Sequence, residues 1–370
     1  MKQTYQKLLG GFMLAFAVCS FQFANAQLNT PRGSQMAKTM QRVGITDIYV
    51  KYSRPQVNDR EIWGNLVPYG MNNLGFGTAK ESPWRAGANE NTTITFNDAV
   101  TVGGKKVPAG TYGYHLIVNE DDTATVILSS DSGSWGSYFY DPANDVARVD
   151  IKTETVPHRE FLTFEFTEVN PNDATLALIW EKKAFPLKIE VDVKDIVLAD
   201  IREKLTNSPG FNRQSWEQAA QYALNNGGDL NEALAWVDAA IAGQFFSQKT
   251  FNNLGIKAQI LMKQGKKEEA FAMMDEAREM GTVLQVHQMG RQLIALDQKQ
   301  KALEVFKFNA KKNKDTWPVH YGMARGLSAI GKHKEALKHL KIALNNAPNK
   351  PNKDAIVAGI AKLEKGEDIN

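Results

Sequence analysis

From residue 46 the apolar positions recur at every second place. Ile48, Val50 and Tyr52 alternate with Tyr49, Lys51 and Ser53, the period of a strand with one buried face. Residues 93–96 and 100–102 repeat the pattern, and Gly103-Gly104 then separates Val102 from Lys105-Lys106-Val107 as a hairpin turn does. Further strands are predicted at 110–118, 123–128, 146–153, 161–166, 175–180 and 185–193, divided by the turn-forming runs 119–122, 129–136 and 170–173. Short strands in series without helices between them predict an antiparallel β-sandwich or barrel over residues 27–193. Residues 28–44 are polar and rich in Gln and Ser, and are expected to form an extended lead-in.

At Lys194 the period changes to that of a helix. Ile196, Ile201 and Leu205 share one side of a connecting segment, 194–210, that stops at Asn207-Ser208-Pro209-Gly210. A repeat follows over residues 211–370. Ala233, Ala270, Ala302 and Ala336 are spaced by 37, 32 and 34 residues, and each is followed four places on by a larger apolar residue, Val237, Met274, Phe306 and Leu340. Ala258, Gly290 and Ala324 stand twelve places earlier, where a small residue lets two helices touch. Gly265 and Gly331 fall in the turns, Ala240, Ala277 and Ala343 lie seven after, and Pro348 ends the last hairpin. This pattern resembles the tetratricopeptide repeat and implies an α-helical solenoid in which residues 354–365 form the solubilising end helix. Two departures stand out: Asp297 takes the place of a turn glycine and Asn309 that of an alanine.

Composition adds a compartment. Met1, Lys2 and Lys7 precede an apolar run at 8–23, and Ala24-Asn25-Ala26 is a small-x-small cleavage site, so residues 1–26 read as a signal peptide and the mature chain as exported to the periplasm or beyond. The run is short for a membrane span, and no later stretch reaches the roughly 18 apolar residues that crossing requires. Cys19 is the sole cysteine, so cleavage after Ala26 leaves no thiol for catalysis, metal binding or disulfides. Residues 249–370 carry 22 Lys and Arg against 13 Asp and Glu, which fits lysines on solvated helix faces better than a nucleic-acid surface.

Several blocks of the first half recur in order in a known bacterial envelope family. They are Ser53-Arg54-Pro55, Arg60-Glu61-Ile62-Trp63-Gly64, Leu66-Val67-Pro68-Tyr69-Gly70, Trp84-Arg85-Ala86-Gly87-Ala88-Asn89-Glu90, Pro108-Ala109-Gly110-Thr111-Tyr112 and Trp135-Gly136. Residues 35–191 thereby resemble the domain of unknown function 2911, which implies an exported β-rich domain and no stated activity. The stretch 71–83 is longer than the link expected before the Trp-Arg block.

That block is the leading candidate for ligand binding. Arg85 can grip a carboxylate or phosphate with its planar fork, Asn89 can donate and accept, and Trp84, Trp63 or Tyr69 can stack on a sugar or aliphatic ligand, with Arg54 and Arg60 nearby in sequence. Glu90 and Glu61 are the candidate acid and base of a carbohydrate hydrolase, should their separation suit it. The competing possibility is that Arg54, Arg60, Arg85, Glu61 and Glu90 pair with one another to clasp long loops. No serine-hydrolase elbow, metalloprotease helix or phosphate loop is present, and no histidine pair has metal spacing, His115 reading as a core residue. In the repeats, Asn253, Lys257, Gln259, Gln288, Arg291, His320 and Arg325 lie on first helices as candidate contacts for a protein or peptide partner. The expectation is an exported, non-catalytic interaction protein without cofactor, metal or nucleic acid. A carbohydrate hydrolase and a glycan or small-ligand binding module are the alternatives.

Overall fold

The computed structural model describes residues 30–313 and 316–370. The expected signal peptide and its cleavage site lie outside the described residues. The chain divides after Asp192 into two compact units.

Among the described residues, the first unit holds ten strands. β1 (Gln35–Val43), β2 (Thr46–Arg54), β3 (Thr93–Phe96), β6 (Gly110–Val118), β7 (Thr123–Ser129) and β8 (Asp145–Lys152) form one sheet in the order β1-β2-β3-β6-β7-β8. The other sheet has the order β5-β4-β10-β9, with β4 (Val100–Val102), β5 (Lys105–Val107), β9 (Glu154–Asn170) and β10 (Asp173–Glu190). Neighbours pair antiparallel throughout. The two sheets are separate, so the fold is a sandwich and not a closed barrel. Their inner faces meet where the Phe164 ring lies edge-on to both Tyr52 and Tyr114, at 4.9 and 5.2 Å between ring centres.

The alternation in β2 holds at five of its six positions: Ile48, Val50 and Tyr52 are buried while Tyr49 and Lys51 are exposed, and Ser53, expected on the solvent side, is buried where the Gly87 loop passes over its backbone. Gly103 and Gly104, at φ +57° and +76°, make the β4–β5 hairpin turn, a conformation that costs a residue with a Cβ dearly. The lead-in differs from expectation. Residues 35–43 pair along their whole length with β2, and because β1 is an edge strand with only its last residue, Val43, buried, no hydrophobic alternation marks it.

The second unit has ten α-helices among the described residues. α1 (Val193–Leu205) is followed by the hairpins α2 (Arg213–Asn226) with α3 (Leu230–Ala242), α4 (Phe251–Lys263) with α5 (Lys267–Met280), α6 (Val283–Ala295) with α7 (Lys299–Lys312) and α8 (Trp317–Ala329) with α9 (His333–Asn346). α10 (Lys350–Glu364) closes the series. The repeat alanines Ala233, Ala270, Ala302 and Ala336 sit on the second helices and are fully buried, as are Val237 and Leu340 four places on. The result is a tetratricopeptide-like solenoid.

Its turns explain the departure at Asp297. Gly265 and Gly331 have φ of +81° and +80°, and Asp297 has +56°. In all three turns the next residue's N–H reaches the carbonyl five places back: Lys266 to Leu261, Gln298 to Leu293 and Lys332 to Leu327. The left-handed helix end is therefore kept without glycine, aspartate being among the side chains that tolerate it best.

Candidate functional site

Two recesses deserve comparison with the candidate residues, one in each unit. In the β unit, the stretch around Trp84 continues the sheet in broken form. Trp84 exchanges both backbone hydrogen bonds with Leu116 of β6, at 2.9 and 2.8 Å, and the Tyr114 N–H donates to the Thr92 carbonyl at 2.8 Å. Between those two attachments residues 85–91 must leave the strand. Ala86 and Asn89 do so at φ +51° and +60°. Gly87 passes so close to the neighbouring backbone that a Cβ on it would lie 2.8 Å from Thr92 Oγ1 and 3.2 Å from the Ser53 carbonyl oxygen. The Thr92 hydroxyl donates to the Ala86 carbonyl at 2.9 Å and the Asn89 amide to that of Ser34 at 2.9 Å, so the loop is fixed at both ends.

The loop borders a cleft of about 320 Å³, whose lining includes Trp84, Arg85, Arg60, Asn72, Ser82 and Trp180. Trp84 stacks on Trp180 with 6.0 Å between ring centres and 17° between planes, and Trp63 meets both edge-on at 6.0 Å. Trp84 is thus at once a wall of the cleft and part of an aromatic cluster. The indole Nε1 of Trp63 is buried without an acceptor among the described residues.

The charged candidates do not clasp one another. Arg54 donates to the Leu162 carbonyl at 3.0 Å and to Thr163 Oγ1 at 2.8 Å. Arg60 donates to the carbonyls of Val57 and Gln56, Asn65 donates to Glu61 at 3.4 Å, and Glu90 pairs with Arg32. The Arg32 hydrogen bond holds the Glu90 carboxyl below the usual carboxylate range. Arg85 makes no ion pair among the described residues, and its buried Nε has no acceptor there. Tyr69 sits at the surface with its ring edge over Gly64.

Beneath the same sheet, His115 is a core histidine. It is buried, its Nδ1 lies 3.1 Å from Ser137 Oγ, and its ring meets Tyr140 at 5.8 Å. Burial lowers its pKa to about 4, with Asp131 opposing, so the ring is neutral near pH 7. No cluster of three metal-ligating side chains occurs among the described residues.

In the helical unit the larger recess is a groove of about 430 Å³ along the first helices α2, α4 and α6. Phe251, Ile256, Met274 and Met289 form its apolar floor, and Gln259 and Gln288 are among the polar groups that border it. Sequence reasoning missed Gln214, Gln218, Gln221, Gln285 and Gln292, which border it too. Their recurrence on helices already assigned to the groove face was the available signal.

The other partner candidates are placed differently. Asn253 is a correction: it is fully buried, because Thr250 and Asn253 cap α4 reciprocally and the Asn253 amide also donates to the Gln248 carbonyl at 2.7 Å. The pattern Thr-x-x-Asn ahead of an apolar run carried that information. Lys257 pairs with Asp238 at 2.7 Å, Arg291 donates to Gln288 at 3.3 Å, and Arg325 lies over the Tyr321 ring at 4.9 Å. His320 and His339 approach within 3.2 Å through their Nδ1 atoms. No helix among the described residues is long and apolar enough to cross a membrane.

The family described as protein of unknown function (DUF2911) matches residues 34–189, and the family described as coatomer epsilon subunit matches residues 182–368. Solved structures similar to the helical half include the C-terminal part of a TPR repeat-containing protein from Cytophaga hutchinsonii, at 14% identity over 47% of this chain and 66% of that one, with a TM-score of 0.34. A thermophilic TPR protein of Thermus thermophilus is 19% identical over 47% of this chain and 91% of that one, TM-score 0.31. YrrB, a TPR protein with an unusual peptide-binding site, is 14% identical over 45% and 84%, TM-score 0.30. No curated protein matches. The chain belongs to the helical-repeat family described as coatomer epsilon subunit, which covers half of it, and carries a domain of the family DUF2911 ahead of those repeats.

Proposed function

We propose that the protein is an exported, non-catalytic interaction protein of the cell envelope, whose helical array docks an extended, uncharged segment of a protein partner. The observation that carries this reading is the glutamine lining of the groove. Gln214, Gln218 and Gln221 come from α2, Gln259 from α4, and Gln285, Gln288 and Gln292 from α6. A glutamine amide both donates and accepts, which suits a peptide backbone presenting an N–H and a carbonyl at every residue. No lysine or arginine lines the groove among the described residues. Its carboxylate, Glu217, is already engaged by Arg213 and by the Asn253 amide. Stacked helical hairpins are scaffolds for such contacts, and the apolar floor supplies burial for side chains.

Export is supported by the basic start, the apolar run and the Ala24-Asn25-Ala26 site. The hydrolase alternative gains nothing from Glu90. A general acid needs a raised pKa, and Arg32 moves that of Glu90 down.

The test is recovery of the partner by the whole mature chain and by the Gln259→Ala/Gln288→Ala variant. Loss of the partner with an unchanged melting curve is expected. Full recovery by that variant, with loss on a change confined to the β domain, would overturn the assignment.

A further inference from the structure

The geometry points to a carboxylate-binding site in the β domain, in which Arg85 grips the anion and the indole of Trp84 packs against the body of a small organic acid. This site lies in a different unit from the glutamine groove and stands or falls independently of it.

Arg85 is fixed before any ligand arrives. Its neighbour Trp84 is hydrogen-bonded to Leu116 through both backbone groups. Its side chain crosses Gly136 so closely that a Cβ on that residue would lie 2.8 Å from Nη1 and 3.5 Å from Cδ. Gly136 has φ +67°, so the close approach and the backbone conformation both call for glycine. Confinement of the side chain against Gly136 reduces the rotamer freedom that ligand binding would otherwise remove.

What the fold leaves undone is the pairing of that charge. Nε is buried with no acceptor, and no carboxylate lies within 4.0 Å of Arg85 among the described residues. Glu90, five places along the same loop, is taken by Arg32. Leaving a buried donor of a charged group unpaired is unfavourable, and such exceptions need a cause. Here the arginine borders a cleft of about 320 Å³. That volume is at the lower end of the roughly 300–1,000 Å³ typical of small-molecule sites, which excludes a long polymer from full enclosure.

The lining selects the anion. Arg60 also borders the cleft, but its guanidinium donates to the Val57 and Gln56 carbonyls. Among the described residues this leaves one cleft guanidinium uncommitted, and it suits a planar monoanion, which its two terminal nitrogens can meet end-on with two parallel bonds while the buried Nε stays behind them. A phosphate dianion would need more donors than this. Trp84, Trp180, Leu66 and Pro83 give the rest of the wall an apolar character, so the acid carries a ring or an aliphatic body. The carboxylate can belong to a free acid or to the C-terminus of a peptide.

The experiment titrates the full mature chain by calorimetry, with tryptophan fluorescence as a second readout. The probes are phenylacetate, its neutral isostere phenylacetamide, inorganic phosphate, and a tripeptide ending in phenylalanine with a free or an amidated C-terminus. Saturable binding of a free carboxylate is expected, with the matching amide at least about tenfold weaker, as loss of a charge-assisted pair implies. Tighter binding of the free-acid tripeptide than of phenylacetate assigns the site to peptide C-termini, and the reverse to free acids. Arg85→Gln should weaken binding by at least about tenfold, and so should Arg85→Lys, which keeps the charge but loses the fork and guards against misfolding of the first variant. The proposal is overturned if no carboxylate saturates, if amides bind equally well, if phosphate binds as tightly, or if Arg85→Lys binds like the wild type.

Discussion

The Phe306 ring occupies the space that a side chain on Gly290 would need: a Cβ on Gly290 would lie 2.4 Å from Cζ of that ring. Gly322 and Gly326 on α8 face the same ring, at 2.6 and 2.8 Å by the same measure. Three glycines on two first helices thus clear room for the one aromatic that follows a repeat alanine. Alanine at Gly290 would gain up to about 1 kcal/mol in helix propensity but collide with a ring that is 1% exposed. Overpacking of this kind costs about 1–3 kcal/mol, so Gly290→Ala should destabilise the helical unit. Adding Phe306→Leu should recover part of the loss, and a denaturation double-mutant cycle reads the coupling. Strict additivity of the two changes would show that the ring is not what Gly290 makes way for.

Asp297 offers the opposite experiment. A non-glycine residue in the left-handed region costs about 1–2 kcal/mol, less for aspartate, while glycine adds unfolded-state entropy. Asp297→Gly should therefore stabilise the helical unit by less than about 1 kcal/mol, and Asp297→Val should destabilise it by about 1–2 kcal/mol. The ion pair with Lys299, at 3.3 Å and largely in solvent, is too exposed to decide the sign. Chemical denaturation of the three proteins checks both directions. A clear loss of stability in the glycine variant would assign the aspartate side chain a further structural role.

These two positions also show how far the sequence could be read. Small residues at fixed spacing are legible because helix contact leaves no alternative there, and the left-handed turn is legible from Gly265 and Gly331. Regular alternation made β2 legible for the same reason: one face must be buried. β1 was not, because backbone pairing with β2 leaves its side chains free of pattern. β10 carries the sequence pattern of two strands, 175–180 and 185–193, and the structure joins them through Glu181, left-handed at φ +54° within one strand. The tie between Arg32 and Glu90, 58 residues apart, and that between Ser34 and Asn89 had no local signal at all. Arg85 could be singled out by its residue type, but its missing partner is visible only in three dimensions.

One buried histidine, His115, and one half-buried histidine, His287, make stability depend on pH. Burial lowers the pKa of His115 and of His287 to about 4, with the Arg325 charge adding to the effect at His287 and its hydrogen bond to the Pro318 carbonyl opposing it. The unfolded chain protonates each near 6.5, so below that pH it binds more protons than the fold does. Their contribution is complete above pH 6.5 and is lost as pH falls toward 4, by up to about 3 kcal/mol for each. His287→Gln should flatten this dependence in the helical unit alone, and His115→Gln in the β unit alone. Stability followed from pH 8 to 4 by hydrogen exchange of amides in each unit checks this. An unchanged slope in either variant would mean that the carboxylates set the acid sensitivity.

The glutamine groove makes a prediction about salt. Association driven by exposed charges weakens as the Debye length shrinks from about 10 Å at 0.1 M salt toward 3 Å at 1 M. In the groove no lysine or arginine is available among the described residues, and Glu217 is already paired. Partner affinity measured between 0.05 and 0.5 M salt should therefore change by less than about threefold. Truncating Met289 on the apolar floor should cost more than removing any single lysine outside the groove, because the floor buries area while exposed lysines only steer encounter. A steep loss of affinity with salt would place the interface on the lysine-rich outer helices, where Lys301 already pairs with Asp275 at 2.8 Å and further lysines stand in solvent.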